Sequence, residues 1–79
     1  MRANSTYGIK RDLERFCAIV RAARDAGKID EATADRQFDA VASVEMAMPI
    51  TAYDRWEWTD ESRNALAKIR AFLAKRRAA

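Results

Sequence analysis

Histidine is missing from this chain of 79 residues, cysteine and proline occur once each, and glycine occurs twice. Each scarcity removes a class of chemistry. Without histidine, the commonest general base and the commonest metal ligand are both gone. The single Cys17 allows no internal disulfide, has no imidazole to activate it, and defeats every Cys/His zinc spacing. Gly8 and Gly27 stand apart, which excludes a phosphate-cradling loop. Asp35 and Asp39 form an i, i+4 carboxylate pair that, with Glu31, would hold a hard cation only weakly. No loop of alternating acids around a turn glycine accompanies them, so a dedicated calcium site is not expected. This inventory predicts a chain that is not an enzyme and takes no cofactor or metal.

Long apolar runs are lacking as well. No segment approaches the ~18 apolar residues of a membrane span, and the opening "MRANSTYGIKRD" has no apolar signal core. The expectation is a soluble, cytoplasmic chain with no membrane partner. The apolar fraction of 49% argues against wholesale disorder. Neither an internal repeat nor a low-complexity segment is visible. With so few turn formers and so many alanines and arginines, the chain favours helix.

Three amphipathic patterns follow. Ile9, Leu13, Phe16, Val20 and Ala23 recur at four-three spacing and predict a helix over about 7–26. Asn4, Ser5 or Thr6 would cap it, with residues 1–6 otherwise flexible, and Gly27 would stop it. Asp30 is a natural N-cap for a second helix over about 31–47. Its stripe is Ala34, Phe38, Val41, Val44 and Met48, and Pro49 ends it. Thr59 caps a third helix over about 60–77, with Leu66, Ile69, Phe72 and Leu73 buried. The short turn between the first two helices forces an antiparallel hairpin. The predicted fold is all-α: one domain, a small three-helix bundle made of an αα-hairpin and a C-terminal helix. Glu45 is the odd residue in a stripe, and a carboxylate there should pair with an arginine or lie at the stripe's exposed end.

The stretch "YDRWEW", residues 53–58, holds both tryptophans and one of the two tyrosines. A short helical turn around 52–57 would put Tyr53 and Trp56 on one face, whereas extended chain would put Trp56 and Trp58 together. Aromatics bury large areas, so the main role expected is a plug for a small core. Trp58, just before the Thr59 cap, is the ring expected to show itself to a partner.

Charge is segregated beneath the net +3. Residues 1–28 carry seven bases and three acids (+4), residues 29–62 two and nine (−7), and residues 63–79 six and none (+6). Basic outer helices beside an acidic middle one lower repulsion within a bundle, although exposed pairs add at most about 1 kcal/mol each. The same layout makes a bipolar surface able to steer a charged partner. On one flank of the first helix, Lys10, Arg21, Arg24 and Lys28 gather near Cys17, whose place beside the stripe reads as a small core residue, although Arg21 and Arg24 leave room for a lowered thiol pKa.

The function expected is a non-catalytic protein-interaction module that acts by occupying a partner's surface. Size and missing chemistry, not a motif, suggest a phage or plasmid adaptor or inhibitor, a class that includes anti-CRISPR proteins. The candidate contact residues are Arg21, Arg24, Lys28, Asp35, Asp39, Trp56, Trp58, Arg70, Arg76 and Arg77. The alternative is a small DNA-associated accessory protein that grips phosphates through the basic first and third helices. In a helix-turn-helix reading the second helix would be the reader, yet it carries Glu31, Asp35 and Asp39, the wrong sign beside phosphates. Either a monomer or a homodimer fits, since the first stripe is too short to specify a coiled coil.

Overall fold

A computed structural model of the chain describes residues 6–49 and 55–78. Three helices account for most of them: α1, Thr6–Asp25; α2, Glu31–Ala47; and α3, Asp60–Ala78. These bounds lie within one residue of those read from the sequence. Thr6 is already helical, one residue earlier than the start read from the sequence, and the rest of the segment 1–6 lies outside the described residues. The candidate caps Asn4 and Ser5 lie outside the described residues, as do Thr51 and Tyr53.

Each helix end has a local cause. Gly27 has φ +73, a conformation an L side chain rarely adopts. It closes α1 as a paired C-terminal cap: the Lys28 amide donates to the Ala23 carbonyl at 2.9 Å and the Gly27 amide to Arg24 at 3.0 Å. Asp30 begins α2 by accepting from the Thr33 amide at 2.7 Å. Hydrogen bonding from the Thr33 side chain, and after it from the Thr33 amide, favours the ionised carboxyl and lowers the Asp30 pKa. Thr59 begins α3, and the Thr59–Ser62 exchange is reciprocal. Thr59 Oγ1 accepts from the Ser62 amide at 3.1 Å, and Ser62 Oγ accepts from the Thr59 amide at 2.8 Å. A capping box ordinarily uses Glu or Gln at the third helical position. Here that position is 2% exposed, and a short hydroxyl fits where a carboxylate would have to be desolvated.

The helices run up, down and up. Ser43 on α2 donates to Glu61 near the start of α3, while Asp12 and Phe16 of α1 meet Arg70 and Phe72 of α3. Every pair of helices is in contact. The core is Ile9, Leu13, Phe16 and Val20 from α1, Ala34, Val41, Val44 and Ala47 from α2, and Ala65, Leu66, Ile69 and Leu73 from α3. Stripe members at the margins are less enclosed: Ala23, Phe38 and Met48 are half-buried. Phe72, expected in the core, is 39% exposed, because at its height α3 has turned the ring toward a gap between helices. Glu45 is exposed, in a hollow that Lys10 and Arg21 also line.

Residues 55–59 carry no helix, so the helical turn expected around 52–57 is not seen over its described part. Glu57 donates its amide to the Ala47 carbonyl at 3.0 Å, which pins the chain across the end of α2. Trp56 and Trp58 consequently emerge on the same side and stack, with centroids 4.7 Å apart and planes at 4°. Both rings are half-buried against the core, as a plug should be, and neither is wholly displayed.

Ser62→Ala removes a buried hydroxyl and half of the α3 cap. Urea denaturation should show a loss of about 1–2 kcal/mol, with the m-value unchanged.

Candidate functional site

The side chains that sequence singled out are dispersed over the bundle, and several are engaged internally. Arg70 donates through Nε to Asp12 Oδ2 at 2.9 Å, in a pair largely shielded from solvent between α1 and α3. Nothing in the four-three stripes signals this partner, since the two residues are 58 positions apart. Arg24 places its guanidinium 5.9 Å from the centre of the Phe38 ring and also pairs with Asp25 at 3.4 Å. Arg21 and Lys28 are exposed, as are Asp35 and Asp39 on α2 and Arg77 on α3. Trp58 borders a shallow hollow with Arg63, Leu66 and Arg70.

The basic flanks of α1 and α3 do not merge. Lys10 and Arg21 look onto α2, where they share a depression with Cys17, Glu14 and Glu45. Lys68 and Arg76 line a separate hollow together, and Lys68 also borders one with Asp39 and Glu61. Cys17 is half-buried, and burial pushes its thiol pKa up. Arg21 opposes that rise and Glu45 adds to it, so the lowered pKa allowed by the neighbouring arginines is corrected: desolvation outweighs them.

The feature that periodicity did not anticipate is an apolar groove of about 310 Å³ bordered by all three helices. Phe16, Ile19 and Ala23 form one wall, Ile29 and Gln37 a second, and Ile69 and Phe72 a third. Phe72 stands on the lip, edge-on to Phe16 with centroids 5.5 Å apart. The Arg76 guanidinium lies 5.9 Å from the centre of the Phe72 ring, a contact contributing about 0.5–1 kcal/mol at an exposed site. Lys68 and Arg76 are the charged residues of the lining, and no carboxylate belongs to it. The sequence did hold a signal: Ile19 lies one position off the α1 stripe, and Phe72 beside Leu73 broadens the α3 stripe beyond what one neighbour can cover.

No group of three His, Cys, Asp or Glu among the described residues is placed to hold a metal ion. No helix among them is long and apolar enough to cross a membrane. No known family matches the chain, and comparison with curated proteins and solved structures finds no significant similarity.

Two measurements check these placements. Asp12→Ala and Arg70→Ala should each cost about 1–2 kcal/mol in urea unfolding, and the double mutant should reveal a coupling of about 1 kcal/mol. Iodoacetamide at neutral pH should label Cys17 more slowly in the folded chain than in the urea-unfolded chain. Glu45→Gln should speed the folded-state reaction by removing a charge that raises the thiol pKa.

Proposed function

We propose that this chain is a non-catalytic protein-interaction module that works by occupying a partner's surface, with the three-helix groove as its contact site. The observation that supports this is Phe72, an aromatic ring held partly in solvent on the lip of an apolar groove. Exposing such a ring forgoes burial free energy at about 25 cal/mol per Å² in a domain with little core to spare. A partner that covers the groove recovers it. Aromatic side chains in preformed pockets are also the usual energetic centres of protein interfaces.

Occupancy alone suffices for an adaptor or for an inhibitor of a larger machine, so the phage or plasmid role drawn from size belongs within this reading. The DNA-accessory alternative has less support. Arg70 and Arg24 are tied to internal partners, and Lys10 and Arg21 line one hollow while Lys68 and Arg76 line another. A phosphate track needs its cations in line.

Photocrosslinking tests the proposal. Replacing Phe72 with p-benzoylphenylalanine puts the reactive group in the groove; replacing Met46, which is 84% exposed on the far face of α2, provides the control. In extract of the native cell, the groove position should give a discrete protein adduct that excess unmodified chain abolishes. Equal, non-competable labelling from both positions would remove the groove as a contact site.

A further inference from the structure

Resting on that reading, we infer that the groove's occupant is an amphipathic α-helix of a partner protein, with apolar side chains seated against Phe72 and carboxylates flanking them. Charge complementarity carries the assignment. The groove's charged border is Lys68 and Arg76, with no acid in the lining. On the α2 side it is bordered by the neutral Thr33, Gln37 and Ala40. Asp35 and Asp39 are exposed and absent from the lining. The border of the groove thus has the sign of the net +3 and not that of the acidic helix beside it, and the local field favours an anionic visitor.

Shape selects the helix. At about 310 Å³ the groove lies at the lower bound of ligand cavities, ~300–1,000 Å³. It is open, and suited to anchors projected by a partner more than to enclosing a free molecule. Its walls are helix surfaces, with no strand edge among the described residues to template an added strand. An apolar stripe at i, i+3 and i+7 is the ligand geometry that such a groove accepts. Nucleic-acid bases would need free aromatic faces to stack on, whereas Arg76 already lies over Phe72 and Phe16 meets it edge-to-face. The chain's own acidic surface, Asp35 and Asp39 on the helix that also exposes Met46, resembles such a ligand. Self-association through that surface is therefore an outcome that the titration must separate from binding of a different protein.

The test uses the full chain, ¹⁵N-labelled, titrated with a synthetic amphipathic helical peptide of about four turns. The peptide carries leucines on one face and glutamates beside them, and a second peptide has lysines in place of the glutamates. The glutamate peptide should shift the amides of Ile19, Lys68, Ile69 and Phe72, and the lysine peptide should leave them unmoved. Lys68→Glu with Arg76→Glu alters two exposed residues and leaves the core intact. It should weaken the glutamate peptide about tenfold, as two border charge pairs would, and Phe72→Leu should weaken it without unfolding the chain. Equal binding of both peptides, or no binding of either, overturns the acidic-helix assignment. If the competable Phe72 crosslink persists in either case, the interaction reading stands and only the partner chemistry is wrong. Groove shifts that grow with protein concentration alone would replace the partner with a second copy. Salt-sensitive shifts along α1 and α3 on adding a DNA duplex, together with loss of the Phe72 crosslink, would overturn both.

Discussion

The bundle depends on one apolar core to which all three helices contribute. Ile9, Leu13, Phe16 and Val20 of α1 meet Val41 and Val44 of α2 and Leu66, Ile69 and Leu73 of α3 in it, and Ile9 and Val44 are wholly shielded from solvent. In a larger domain two helices can pack together while a third finds its own partners. In a chain of this size the three stripes must share a single core. That sharing sets the register of everything else. It brings Asp12 to Arg70 and Phe16 to Phe72, and it leaves the end of the hairpin to be closed by the tryptophan segment.

Convergence on a single shared core also explains where the molecule is open. Three cylinders meeting on one line leave a furrow wherever side chains on one of them are small. Ala23, Ala40 and Ala65 border the groove. Bulky residues at those positions would fill it and enclose Phe72. The groove is thus a product of alanine placement, in a chain whose alanines otherwise serve helix propensity.

What was legible in the sequence was local. Gly27, Asp30 and Thr59 marked helix ends because each acts on backbone groups within a few residues, and the stripes followed from helical period alone. The alternatives left open for "YDRWEW" turned on backbone geometry at its two tryptophans, and the extended form prevailed because the Glu57 amide joins Ala47. Illegible were features made by distant chain meeting distant chain. Arg70 looked like a free cation because nothing in sequence locates Asp12. Nothing in the sequence marks Ser62 as buried, because its burial depends on how α3 enters the bundle. Phe72 looked like core because periodicity reports a direction and not whether a neighbour stands there.

The parallel stack of Trp56 and Trp58 has an optical consequence. Two indoles so close and with planes so nearly parallel are placed for their transition dipoles to couple, so the near-ultraviolet circular dichroism of the folded chain is expected to report on the pair. Both chromophores sit on the segment that seals the hairpin, and neither lies on a helix. Intrinsic fluorescence therefore watches the docking of that segment, while far-ultraviolet dichroism watches the helices. If the segment opens before the helices melt, the two signals will report different transitions, and their separation will show how firmly the plug is held.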